Sequence, residues 1–140
     1  MSSNIHIFSE GIKFSIKERA RLKNWIVSVI DRYEKINGEI NVVFTSDRKL
    51  RDINLKYLNT DNYTDIITFD LSDEELIISG DIYISLERIV ENARTFEVGI
   101  ENELHRVLIH GILHLLGFDD RTETQRTEMR KLENLFLSTF

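Results

Sequence analysis

Asp65-Ile66-Ile67-Thr68-Phe69-Asp70-Leu71, then Ser72-Asp73-Glu74-Glu75, then Leu76-Ile77-Ile78-Ser79-Gly80-Asp81-Ile82-Tyr83-Ile84-Ser85 form the passage on which the architecture turns. Two runs rich in β-branched and aromatic residues flank a short polar turn, the pattern of an antiparallel hairpin. Gly80, inside the second run, points to a bulge or to close approach of another segment. Ser85 is placed to cap a helix through about Phe96. Gly99 breaks that helix, and a second one runs from Ile100 to Leu116.

Upstream of the hairpin, strand and helix signals alternate. Asn4 to Ser9 reads as a short strand, with Ile5 and Ile7 on one side. Ser15-Ile16-Lys17-Glu18 has the form of a capping box. It opens a helix with Leu22, Trp25, Ile26, Val29, Ile30 and Tyr33 at helical spacing, which Asn37-Gly38 is expected to stop. Glu39 to Thr45 is a β-branched strand, and Ser46 caps a helix through about Leu58. Downstream, Thr122-Glu123-Thr124-Gln125 is another capping box, which starts a C-terminal helix carrying Met129, Leu132, Leu135 and Phe136. The order β-α-β-α-β-β-α-α-α implies one α/β (α+β) domain over residues 1–140, a mixed sheet of about four strands with helices packed on it.

Composition narrows the function classes. A chain of 140 residues with 41% hydrophobic and 30% charged residues suits one soluble globular domain. With no cysteine, thiolate metal sites and disulfides are excluded, so His, Asp and Glu must supply any ligands. Neither a secretory signal nor a membrane-length apolar run is visible, and the expected location is the cytoplasm. The net charge of −6 argues against a general nucleic-acid coat protein. Basic residues nevertheless gather between Lys13 and Lys35 and at Arg48-Lys49-Arg51, either as solvated helix faces or as local phosphate surfaces.

The chemistry concentrates in His110-Gly111-Ile112-Leu113-His114-Leu115-Leu116-Gly117-Phe118-Asp119-Asp120. Histidines four apart on a helix share one face and can offer two imidazole nitrogens to one ion. Gly117 can turn the chain back at the helix end, Phe118 can anchor the turn, and Asp119 or Asp120 can return to the metal. This spacing matches the metal-binding geometry of metzincin peptidases, but Gly111 stands where those enzymes need a glutamate base. His105 points away from the His110 face and His6 has no partner, so both read as structural. Trp25 and the phenylalanines read as core.

His110-Gly-x-Leu-His114-Leu-x-Gly117-Phe-Asp119 resembles the signature of the YbeY family of metal-dependent ribosomal RNA maturation endoribonucleases. Asn54-Leu55-x-Tyr57 with Thr64-Asp65-Ile66-Ile67-Thr68-Phe69, and Gly80-Asp81-Ile82-Tyr83-Ile84-Ser85, look like two further family segments. The likeness covers roughly residues 40 to 130 in order. It implies a zinc ion, single-stranded ribosomal RNA as substrate and the small ribosomal subunit as partner. It also implies the ligand set His110, His114 and Asp120, with Asp120 in place of the family's third histidine and Asp119 as the rival. Where the family carries an arginine after its tyrosine, this chain has Leu58, and Arg106 is the candidate substitute cation. Two other readings stand beside the nuclease: a non-catalytic ribosome-associated RNA-binding factor with a structural metal, and a metal-dependent peptidase.

Overall fold

The computed structural model describes residues 4–58 and 64–140. Four strands, β1 (Ile5–Ser9), β2 (Ile36–Thr45), β3 (Ile66–Asp70) and β4 (Ile77–Ser85), form one sheet in the order β1-β2-β4-β3. β1, β2 and β4 are mutually parallel, and β3 runs antiparallel to β4. Five helices accompany them: α1 (Arg19–Arg32), α2 (Asp47–Ile53), α3 (Leu86–Phe96), α4 (Ile100–Leu115) and α5 (Glu123–Leu137). A π-helical turn, Asn54–Leu58, extends α2.

The register explains the core. Ile5 pairs with Ile40, Ile7 with Val42, Val42 with Ile82 and Phe44 with Ile84, so alternate positions put one apolar set on a single face. That face buries Leu22, Ile26 and Val29 of α1 and Leu104, Leu108 and Ile112 of α4. On the opposite face a smaller cluster joins Leu50 and Ile53 of α2 to Ile67, with Phe69 and Tyr83 alongside. The hairpin, the mixed sheet and the element order agree with the sequence reading.

Three local expectations meet a different outcome. Ser15 does not cap α1: the N-cap is Glu18, in the left-handed region at φ 54° and without a side-chain cap bond. Residues 12–16 instead lie outside any helix, with Ile12, Phe14 and Ile16 packed against the core and Phe14 edge-on to Phe44 at 5.4 Å. Burial there outweighs one capping bond of roughly 1 kcal/mol. Asn37-Gly38 does not stop α1 either, since the helix ends at Arg32 and the chain reverses at Glu34, φ 58°. Asn37 and Gly38 lie within β2, at the register shift between Asn37 and Ile40. Finally, Phe8 and Phe96 are not core residues: they are 50% and 59% exposed.

Of the two readings of Gly80, close approach is the observed one. It pairs in register with Asp70, and a Cβ there would overlap the Phe69 carbonyl and lie 2.8 Å from Leu115 Cδ2 of α4. This lets α4 lie close on the sheet and fixes the height of its histidines.

Candidate metal centre

α4 carries His110 and His114 one turn apart beside its buried stripe. Its end is a Schellman motif: Gly117 N–H donates to the His114 carbonyl and Phe118 N–H to the Leu113 carbonyl, both at 3.0 Å. Gly117 takes φ 102°, and Phe118 sits edge-on to Tyr33 at 5.3 Å, tying the turn to the core. α5 then starts from Thr122, whose hydroxyl accepts Gln125 N–H while the Gln125 side chain accepts Thr122 N–H. Between these two fixed ends the chain has little freedom, and Asp120 is directed back to the histidines while Asp119 is exposed.

The three side chains converge. His110 Nε2 lies 3.0 Å from His114 Nε2 and 3.3 Å from Asp120 Oδ2, and His114 Nε2 lies 3.5 Å from the same oxygen. Ligand atoms held about 2.0–2.1 Å from one tetrahedral zinc would stand roughly 3.3 Å apart. The donor set therefore fits such an ion, and three protein ligands leave a fourth position for water or substrate. His110, His114 and Asp120 are also the one group among the described residues with metal-compatible donor spacing.

Glu133 completes the arrangement and is absent from the sequence reading. Its side chain is 7% exposed, and its Oε2 accepts the His110 Nδ1 proton at 2.7 Å. An ionised carboxylate can only accept, so Nδ1 carries the hydrogen and the Nε2 lone pair is free to face the metal position. Arg106, the candidate cation, donates to Glu133 Oε1 at 3.1 Å and to Asn134 Oδ1 at 2.9 Å, bracing that carboxylate from behind. Burial opposes protonation of His110. The bond and charge of Glu133, with Asp120 and Asp65, outweigh it and hold the His110 pKa above the ordinary histidine value. A sequence signal did exist: Glu133 falls between Met129 and Phe136 on the buried stripe of α5, where a lone charge needs a partner.

α3, α4 and α5 bound a cleft of about 370 Å³ that includes His110 and Asp120. Asp65 enters it just before β3, held there because Ser85 N–H at the end of β4 donates to its carbonyl at 3.0 Å. Asn92 of α3 donates to the Asp65 carboxylate at 3.4 Å. Burial raises the pKa of Asp65, only partly countered by His110, and burial likewise raises that of Glu103 against the pull of Arg106. Leu58 ends the π-helical turn, 50% exposed. His105 packs on Phe140 at 4.1 Å between ring centroids and His6 pairs with Glu39 at 3.1 Å, and neither lines the cleft.

The family model described as Endoribonuclease YbeY matches residues 5–140. The chain belongs to this family. Relatives named Endoribonuclease YbeY include one from Flavobacterium psychrophilum, 47% identical over 135 residues that cover 95% of this chain and 94% of the relative. Another, from Amoebophilus asiaticus, is 41% identical, with coverage of 96% and 92%. The solution structure of TM1509 from Thermotoga maritima is similar with a TM-score of 0.67 and 30% identity, covering 95% of this chain and 86% of that one. The resemblance read from three short segments thus extends over nearly the whole chain. Among the described residues no helix is long and apolar enough to cross a membrane.

Proposed function

We propose that this chain is a zinc-dependent, single-strand-specific endoribonuclease acting in ribosomal RNA maturation and ribosome quality control. It works in the cytoplasm, on ribosomal RNA at the small ribosomal subunit. The observation that carries the reading is the convergence of His110, His114 and Asp120 at 3.0, 3.3 and 3.5 Å, close to the edge lengths that three ligands of a tetrahedral ion would have. Family membership supports RNA as the substrate class.

A divalent ion bound there would polarise a phosphodiester and lower the pKa of its water. The remaining work falls to the chain. Glu133 fixes the His110 tautomer, and Arg106 fixes Glu133. Asp65 and Glu103, raised by burial, can take up a proton near the cleft and give it back. The Gly117–Thr122 turn delivers Asp120.

Elemental analysis of untreated purified protein, followed by incubation with single-stranded and duplex RNA with and without chelator, tests the reading. Stoichiometric zinc, and single-strand cleavage lost with chelator and in His114→Ala, is the expected result. Metal retained without turnover would convert the proposal to the RNA-binding factor with a structural ion, the reading that Leu58 favours.

A further inference from the structure

Both walls of the cleft also carry side chains that the site above does not use. α3 and α5 both flank α4, and each brings exposed side chains to the cleft. From α3 comes Phe96, at the helix end and 59% exposed. From α5 come Arg126 and Arg130, one turn apart on one face.

The three arginines of the cleft are not equivalent. Arg106 is spent on Glu133 and Asn134 and is only 20% exposed. Arg130 lies 4.0 Å from Glu133, with its side chain 59% exposed. Arg126 donates through Nη1 to the carbonyls of Arg121 at 2.8 Å and Asp120 at 3.5 Å. Among the described residues no carboxylate pairs with Arg126. A cation anchored on backbone oxygens keeps its full charge and a fixed position, which suits it to an anion entering beside Asp120.

We propose that Phe96, Arg126 and Arg130 form a clamp for one unpaired stretch of the substrate strand, with a base stacked on Phe96 and neighbouring phosphates on the two guanidiniums. The inference rests on the nuclease reading and specifies how that site selects its substrate. An aromatic face opposite paired cations is the general means of holding single strands. In a duplex the base faces are already stacked on each other, so Phe96 has nothing to engage. Selection for unpaired RNA follows from geometry rather than from base-edge recognition. The clamp also supplies, from α5, the free cation that Arg106 does not provide.

Binding of zinc-loaded protein to a labelled single-stranded phosphorothioate RNA, measured across a salt series, tests the clamp. Arg126→Gln and Arg130→Gln should each flatten the log–log salt slope by about 0.7, the share of one single-strand phosphate. Arg126→Lys should retain the slope. Phe96→Ala should weaken binding by roughly five-fold or more with the slope unchanged, and Phe96→Tyr should restore it. Lys131→Gln, an exposed change on α5 outside the cleft lining, is the control. Metal content is measured throughout, because Arg126 also holds the Asp120 turn. Should Arg126→Gln lose metal, Arg130→Gln and Arg126→Lys decide. Intact metal with an unchanged slope in the arginine variants, or unchanged affinity in Phe96→Ala, overturns the clamp and leaves the nuclease reading standing. A wild-type protein that neither binds nor cleaves single strands overturns both.

Discussion

Replacing Glu133 with glutamine separates the charge behind His110 from the hydrogen bond itself. The amide oxygen of the introduced side chain can still accept the His110 Nδ1 proton, and the side-chain volume is nearly unchanged, so what is lost is the negative charge 2.7 Å from the ring together with the second oxygen, which accepts from Arg106 at 3.1 Å. Outer-sphere partners of this kind are worth about 10- to 100-fold in metal affinity. Glu133 is 7% exposed, so screening is weak, but the retained bond removes part of the effect. We expect a loss of about 10- to 30-fold, or roughly 1.4–2 kcal/mol, read at pH 8 by competition with a chromophoric zinc chelator. The difference should shrink as the pH falls. Glu133 raises the His110 pKa, so in the wild type a proton competes with the metal at a higher pH than in the variant. Without metal the sign is different. A histidine whose folded pKa lies above its unfolded value of about 6.5 adds stability that is fully present below 6.5 and lost as pH rises through the folded value. The thermal deficit of metal-free Glu133→Gln should therefore be larger at pH 6 than at pH 8. Equal affinities at pH 8, or a gap that widens towards low pH, would refute the role assigned to Glu133.

Asp120→Ala should abolish stoichiometric zinc and Asp119→Ala should retain it, by elemental analysis; the reverse would make Asp119 the ligand. Gly111→Val should cost about 2–3 kcal/mol in urea unfolding, because even a Cβ at Gly111 stands 2.8 Å from Ile66 Cδ1 and 3.2 Å from Ile82 Cγ2; a loss under about 0.5 kcal/mol would mean α4 is not seated as described. His105 has its pKa lowered by burial, against the opposing pull of Glu101 and Glu18. Its contribution is therefore present above the unfolded value and lost as pH falls through the folded one. NMR titration should give a midpoint below about 6.5, and His105→Phe should reduce the loss of stability on acidification; a midpoint above 6.5 would contradict its burial against Trp25 and Phe140.

The elements that sequence predicted well are those whose signal is local. Ser46, Ser85 and Thr122 each accept a backbone N–H at the start of their helices, because a hydroxyl three residues ahead of a free N–H needs no distant partner. The hairpin was legible for the same reason. Ser15 had an equally good local pattern and did not form a cap, since Phe14 and Ile16 gain more by packing on the sheet. Asn37-Gly38 looked like a helix stop, yet the reversal uses Glu34 and those two residues continue into β2. Strand order is beyond local reading altogether: β4 inserts between β2 and β3, and only the sheet as a whole determines that.

The site divides along the same line. His110, His114 and the turn at Gly117 lie within one short segment whose helical geometry brings the side chains together, so their spacing foretold the convergence. Glu133, Asp65 and Asn92 reach the same place from α5, the start of β3 and α3, and no spacing rule connects them. Their contribution is also of a different kind. The imidazoles and the carboxylate of the candidate centre stand out by residue type, whereas Glu133 is recognisable only as a charge that has no solvent and must have a partner. The arginines make the point sharper. By sequence, Arg106 was the natural substitute for the cation missing at Leu58, being one turn from His110. Its bonds to Glu133 and Asn134 leave it bracing the site, while Arg126, on α5, holds backbone oxygens and keeps its charge available. Proximity to His110 on one helix singles out Arg106 and passes over the cleft arginines of α5. Which of them remains free for a phosphate depends on the acceptors that the tertiary fold has already assigned.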